Sequence, residues 1–369
     1  MKITSFKFGY DNWHLEKTVF DNFNLLVGVS GVGKTRILKA LELVCDVATD
    51  SDYKLNGVKW QISFEHAAHE YEWTLKSAKV KFSKQPAQSS IFDEKIVMKH
   101  KEVPLVERSE NAFLLNGNPM PKLKKTESAI TLLSEEPTIA PIYEAFKKII
   151  FSQTRQREYF YPLSPEDLIV EMSLEQFKED SVQQASVVKA YQLAKFYPEA
   201  FSQLKMDFTE IFTSVEDIKV SLVQKKEKEG YEEGYEEGSE LSFNIKENNE
   251  WVSQSRMSSG MFRSLVHLVD ISLAPQGSVI LIDEFENSLG INCMPELTDF
   301  VMSKAPFMPF SHHPYIISKI PYKTWKIVRR KGGCVSVINA TDIPQLQTGS
   351  RLNKFVQLAN LPEYEDGIL

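Results

Sequence analysis

The chain has 369 residues, of which 42% are hydrophobic, enough for a sizeable core in one large domain or two ordinary ones. Lys and Arg total 43 against 50 for Asp and Glu, and the formal net charge of −7 excludes a global basic field that would draw the whole chain onto nucleic acid or acidic lipid. Apolar runs such as Val279-Ile280-Leu281-Ile282 fall far short of the roughly 20 residues of a spanning helix, while three cysteines (Cys45, Cys293, Cys334) without ligand spacing and a start (Met1-Lys2-Ile3-Thr4) without an apolar signal core predict a reducing cytoplasm, no disulfide scaffold and no structural zinc.

Residues 2–8 alternate polar and apolar side chains as a half-buried strand does, and Phe23-Asn24-Leu25-Leu26-Val27 leads directly into a glycine-rich turn. The helix that follows is expected from 35 to about 47, with Ile37, Leu38, Leu41 and Val44 on one apolar face. Over 59–82 the period changes to two. Trp60, Ile62 and Phe64 share a face of one strand, Tyr71, Trp73 and Leu75 a face of the next, which predicts an antiparallel hairpin. The polar, mixed stretch 83–104 reads as loops or a variable insertion, and Asn116-Gly117 after Ala112-Phe113-Leu114-Leu115 reads as a turn.

From about 139 to 213 the pattern favours helix. Tyr143, Phe146, Ile149 and Ile150, then Val187, Val188, Tyr191, Leu193 and Ala194, recur at helical intervals, punctuated by Pro162, Pro165 and Pro198. Strand pattern resumes at 218–223 and 241–245. Between them, the EGYEEGYEEG repeat within 227–240 predicts a solvated loop, with an acidic arm for a partner as the sharper alternative.

Two motifs carry chemistry. Gly28-Val29-Ser30-Gly31-Val32-Gly33-Lys34-Thr35 matches G-x-x-x-x-G-K-[ST] at every fixed position, a Walker A phosphate loop. Ser30, Gly31, Val32, Gly33, Lys34 and Thr35 are its nucleotide-binding candidates: glycines let the backbone curl so that successive N–H groups point at phosphate, with the helix's positive end behind them. Lys34 is expected to bridge the β- and γ-phosphates and Thr35 to complete a Mg²⁺ shell. A plain surface glycine turn is the alternative, opposed by the strand before it and the helix after it. Ser278-Val279-Ile280-Leu281-Ile282-Asp283-Glu284 then reads as a buried strand ending in two carboxylates. Asp283 is the Walker B aspartate for Mg²⁺, and Glu284 the base that polarises the attacking water.

Before that strand, Met257-Ser258-Ser259-Gly260-Met261 opens an apolar helix of Phe262, Leu265, Val266, Leu268 and Val269. A serine-glycine turn at a helix start is a second phosphate-binding device, so Ser258, Ser259 and Gly260 are assigned to nucleotide held by another protomer. A simple N-cap at Ser258 or Ser259 is the structural alternative.

With these residues in place the sequence resembles ABC-type ATPases: Ser258-Ser259-Gly260 is similar to a shortened signature motif, and Asn287-Ser288-Leu289-Gly290 to the D-loop after Walker B. The stretch 258–329, with SSGM, LIDEFENSLG, SHHPYII and a following Ile-Pro-x-x-x-Trp, is similar to stand-alone bacterial AAA-type ATPases related to OLD and SMC-type proteins, many of them from anti-phage systems. The resemblance implies an α/β fold: an ABC-ATPase-like head with a mixed β-sheet around the P-loop, an antiparallel β subdomain and a helical insertion. The layout would be 1–135 and 216–369 for the two parts of the head and 136–215 for the insertion. It further implies ATP and Mg²⁺ as cofactors, the metal at Thr35 and Asp283, and Glu284, Lys34 and His312 as catalytic residues, with His312 of Ser311-His312-His313-Pro314 as the switch histidine. Three features depart from the pattern. No base-stacking aromatic stands out among Phe8, Tyr10, Trp13 and Phe20, the Q-loop glutamine has only Gln153 as a candidate, and Pro306 and Pro309 make the 307–310 strand short, distorted or an edge.

The implied function is a Mg²⁺-dependent ATPase that closes as a homodimer or higher oligomer and so switches a partner effector, a nuclease or toxin encoded nearby. An SMC-like repair ATPase on nucleic acid is the alternative. A transporter's ATP-binding subunit fits less well, because a full LSGGQ is absent and the helical region is too large. No appended carboxylate cluster, HNH-like pattern or Cys/His constellation marks the chain itself as a nuclease. The basic runs Lys122-Leu123-Lys124-Lys125 and Arg329-Arg330-Lys331 are either solvated faces or phosphate contacts, which leaves nucleic acid open as a partner; no membrane partner is expected.

Overall fold

Strands in the first part of the chain follow the period-two burial of their side chains. In a computed structural model that describes residues 1–50, 55–79, 90–152, 161–162, 172–224, 239–283, 294–303, 307–309, 314–347, 351–361 and 364, the chain divides into two compact units. One comprises Met1–Phe151, Gly277–Phe285 and Ala305–Leu369, the other Ser152–Gln276 and Glu286–Lys304.

The first unit starts with β1 (Lys2–Tyr10), β2 (Trp13–Val19), β3 (Leu25–Val27) and helix α1 (Lys34–Thr49). Next come β4 (Val58–His66), β5 (His69–Ser77), β6 (Ile91–Met98), β7 (Val106–Ser109), β8 (Phe113–Leu115) and β9 (Asn118–Pro119), then α2 (Ala129–Leu132), α3 (Ala140–Lys147) and β10 (Ile149–Ser152). The second unit holds β11 (Tyr161–Pro162), α4 (Leu174–Asp180), α5 (Ser186–Phe196), α6 (Pro198–Ile211), β12 (Val215–Gln224), β13 (Ser239–Glu247), β14 (Glu250–Ser253) and α7 (Ser259–Ser272). The chain returns to the first unit for β15 (Val279–Ile282), to the second for α8 (Met294–Ser303), and ends in the first with β16 (Phe307–Pro309), α9 (Pro314–Lys319), β17 (Trp325–Lys331), β18 (Cys334–Asn339) and α10 (Arg351–Ala359).

This is the mixed α/β architecture expected: a large mixed sheet, antiparallel strands, and helices between the glycine-rich turn and the Asp283 strand. Among the described residues an eleven-stranded sheet runs in the order β3-β17-β18-β2-β1-β4-β5-β6-β7-β8-β9. It is antiparallel except where β17 meets β3 and β18 meets β2. A second sheet has the order β10-β15-β16. The expected 59–82 hairpin is β4 and β5, with Trp60 opposite Leu75 and Phe64 opposite Tyr71. Its buried face is aromatic: Trp60 meets Trp73 edge-on at 5.0 Å, and Phe146 from α3 meets Phe64 and Trp73 at 5.2 and 5.4 Å. Such edge-to-face pairs add directionality to the area they bury. The Asn116-Gly117 turn joins β8 to β9 with φ of 49° and 78°, as a tight hairpin turn requires.

Two expectations are corrected. The 83–104 stretch is not all loop, because β6 pairs with both β5 and β7. Its interior Glu94 is buried against Arg108 at 3.2 Å and so breaks the alternation that would have marked a strand. Ile149 and Ile150 belong to strand β10, not to a helix, since α3 ends at Lys147. Residues 13–19 add a further strand, β2, which pairs antiparallel with β1. The 307–310 strand is as short as its prolines demand: β16 has three residues, pairs in parallel with β15 and lies at the edge of its sheet.

In the second unit β13 is central, pairing antiparallel with β11, β12 and β14. The expected 218–223 and 241–245 strands are β12 and β13, with Ile218 opposite Ile245 and Leu222 opposite Leu241. Helices α5 and α6 cover β12, and α7 packs on both helices, burying Leu204, Phe208, Phe243, Leu265 and Leu268. The acidic repeat lies outside the described residues. No helix among the described residues is long and apolar enough to cross a membrane.

Candidate functional site

Leu25, Leu26 and Val27 of β3 are fully buried and run parallel to β17, with Leu25 opposite Trp325 and Val27 opposite Ile327. Beyond Val27 the chain passes so close to β17 that a Cβ on Gly28 would lie 2.7 Å from the Val328 carbonyl oxygen. The backbone then curls through Gly31 (φ +85°) and Gly33 (φ +108°), left-handed conformations that glycine adopts without strain. Gly33 is the N-cap of α1, and no side chain caps that helix start. An uncapped start behind a glycine curl is suited to an anion, which the first-turn amides and the positive helix end both attract.

Lys34 is 4% exposed, and its ammonium donates to the carbonyls of Gly28 at 2.8 Å and Val29 at 3.0 Å. The charge is therefore held within the curl. Thr35, next along α1, donates from Oγ1 to Oδ1 of Asp283 at 3.4 Å across 248 residues of sequence. β15 delivers Asp283: Val279, Ile280, Leu281 and Ile282 are all buried, and the acid follows directly at the strand's end. A hydroxyl and a carboxylate oxygen side by side are hard donors of the kind Mg²⁺ takes together with substrate phosphates, so the residues present fit that ion.

Sequence reading missed one contributor here. Arg330 at the end of β17 donates from Nε to Gly332 O at 2.7 Å and from Nη1 to Gly31 O at 3.4 Å, which brings one of the basic runs to the glycine curl. Only the parallel pairing of β17 with β3, distant in sequence, gives it that place. Among the aromatics that precede the curl, Phe8, Trp13 and Phe20 are buried and Tyr10 is exposed. The Trp13 ring packs beside Phe8 at 5.8 Å and under the Arg36 guanidinium at 5.1 Å.

Ser258, Ser259 and Gly260 lie in the second unit. Ser258 is the N-cap of α7, its Oγ accepting from Met261 N at 3.1 Å, while Ser259 and Gly260 form the first turn. The structure thus brings Thr35, which follows the 28–34 curl, to Asp283. Glu284, His312, the 287–290 D-loop and Gln153 lie outside the described residues.

No protein-family model matches the chain, and no curated protein matches it in sequence. Among solved structures, an SMC head bound to the C-winged helix domain of ScpA is similar at a TM-score of 0.48 and 11% identity, covering 92% of this chain and 98% of that one. The SMC head domain from Thermotoga maritima is similar at a TM-score of 0.39 and 12% identity, covering 92% and 99% respectively.

Proposed function

We propose that the chain is a Mg²⁺-dependent ATPase of the ABC type. The observation that carries this reading is the meeting of Thr35 and Asp283 at 3.4 Å beside a glycine curl that encloses the Lys34 ammonium. Mg²⁺, held by Thr35 and Asp283, would supply charge neutralisation for the triphosphate. The residues of the chain do the rest. The amides of 30–35 orient the phosphates, Lys34 adds a fixed positive charge where negative charge develops, and Glu284 accepts the proton of the attacking water. His312 senses the γ-phosphate from the switch position. Purified wild type and Lys34→Ala decide the matter in a Mg²⁺-dependent phosphate-release assay. The variant is expected to lose roughly 10²-fold or more of the turnover, and equal rates would overturn the reading.

Ser258, Ser259 and Gly260 then serve nucleotide on a second copy, so ATP closes a homodimer and hydrolysis reopens it. We further propose that the output of this cycle is a conformational switch on an effector protein, a nuclease or toxin, in anti-phage defence, with the 136–215 helices as the docking block. These helices stand in sequence between the two nucleotide motifs, whose positions change with closure. Recovery of a nuclease or toxin from the native host only in one nucleotide state supports the switch.

A further inference from the structure

A set of buried polar side chains inside the second unit stands apart from the nucleotide residues. The hydroxyl of Ser152, at the end of β10, is 2.7 Å from Nδ1 of His267 and 2.8 Å from Oδ2 of Asp270. These two partners are three residues apart on α7, so their side chains leave the same face of the helix. The other oxygen of Asp270, Oδ1, accepts from the Ser186 hydroxyl at 2.9 Å and from the Lys189 ammonium at 3.2 Å, both on α5. None of the five residues is more than 6% exposed.

Proton counting orders the network. An ionised Asp270 has only acceptor oxygens, so Ser152 gives it the hydroxyl proton; the Ser152 oxygen must then accept from His267, which places that ring's proton on Nδ1. Burial lowers the His267 pKa to about 4, against the opposite pull of Asp270, so the imidazole is neutral at physiological pH. Lys189 supplies the counter-charge that a carboxylate needs away from water. The arrangement is no nucleophilic centre. Ser152 is 2% exposed, and its proton goes to the carboxylate instead of the imidazole.

Its chemistry suits holding a helix in place. Hydrogen bonds add direction to the apolar packing of the helix: a shift of one residue, about 1.5 Å and 100°, carries both the His267 donor and the Asp270 acceptor away from Ser152. The helix so held is the one that begins at Ser258 and Gly260. Ser152 is also where the chain passes from the first unit into the second, as the last residue of the strand that lies beside the Asp283 strand in the β10-β15-β16 sheet. We propose that Ser152 is a positioning residue for ATP turnover: its hydroxyl, shared between His267 and Asp270, sets the axial and rotational position of α7 and with it the presentation of Ser258, Ser259 and Gly260 to the nucleotide of a second copy. This rests on the reading of those three residues as nucleotide ligands in trans.

The test uses the full chain as wild type, Ser152→Ala, Ser152→Thr and Lys34→Ala, with nucleotide affinity from fluorescent-ATP titration, steady-state kcat and KM, and thermal melting. Ser152→Ala is expected to bind ATP as the wild type does while kcat falls about tenfold, and Ser152→Thr, which keeps the hydroxyl, to recover most of it. Wild-type kcat in Ser152→Ala overturns the proposal, and so does a parallel loss of affinity, kcat and melting temperature that threonine does not rescue. Where the Ser152 variants do not fold, His267→Asn, which keeps a donor near the Nδ1 position, is compared with His267→Leu. Turnover kept by the first and lost by the second supports the clamp; equal turnover overturns it. A wild type no faster than Lys34→Ala removes the ATPase reading itself, and the proposal falls with it.

Discussion

Asp46 on α1 shows how one side chain couples the fold to pH. Burial first, then the neighbouring Glu42 and Asp50, raise its carboxyl pKa from 3.8 to about 6. The folded chain therefore keeps a proton that the unfolded chain has already released. The stability this contributes is present in full below about pH 4 and lost as pH rises through 6. Asp46→Asn is expected to stabilise by about 1 kcal/mol at pH 7.5, the figure being small because solvent screens a half-exposed group, and to be neutral at pH 4. Denaturant melts at the two pH values read the difference, and an equal shift at both would exclude titration as the cause. His267 has the opposite sign: its folded pKa is depressed from 6.5 to about 4 by burial, so its contribution is present above 6.5 and lost as pH falls through 4. His267→Gln is expected to flatten the acid limb of a stability-pH curve between those values, which a series of urea melts checks.

At the scale of elements, strand β6 places an ion pair among its buried positions, with Glu94 inward between Ile91 and Ile96. Burial raises the Glu94 pKa, and the facing Arg108, the Ala129 amide and the Trp73 indole each oppose that rise. Arg108 in turn reaches the carbonyls of Glu127 at 2.8 Å and Lys124 at 2.6 Å, tying β7 to the chain before α2. Arg108→Met would leave the carboxylate buried without its counter-charge, at a cost of about 3–5 kcal/mol. Calorimetry is expected to show a melting temperature lower by roughly 10 °C. The β3 and β17 pair sets a different constraint. Gly28→Ala would press a methyl against the Val328 carbonyl, so it is expected to cost about 1–3 kcal/mol and to weaken ATP binding together with stability. An affinity equal to that of the wild type in a nucleotide titration would show that the loop tolerates the displacement.

At the scale of the whole molecule, the proposed assembly makes one further prediction. In a Glu284→Gln background, where the weakened base lets ATP bind and persist, ATP is expected to raise the mass seen by light scattering to that of a dimer. Adding Gly260→Asp should abolish that rise by setting a carboxylate against the γ-phosphate. Persistence of the dimer in the double variant would count against Ser258-Ser259-Gly260 as the closing surface. How much of all this the sequence determined by itself follows from the range of the interactions involved. The curl of 28–35, the hairpin of β4 and β5 and the cap at Ser258 depend on residues a few positions apart, whose glycines, alternation and serine are visible in the chain. What only the tertiary structure decided depends on partners far apart: Glu94 reads as a solvated charge until Arg108 stands opposite it, and Ile149 and Ile150 fit a helical period until β15 offers them a sheet. Arg330 belongs to a basic run until β17 lies along β3, and Ser152 has no visible role until α7 brings His267 and Asp270 to its hydroxyl. A buried polar group declares itself only through the partner that satisfies it, and that partner is chosen by the fold.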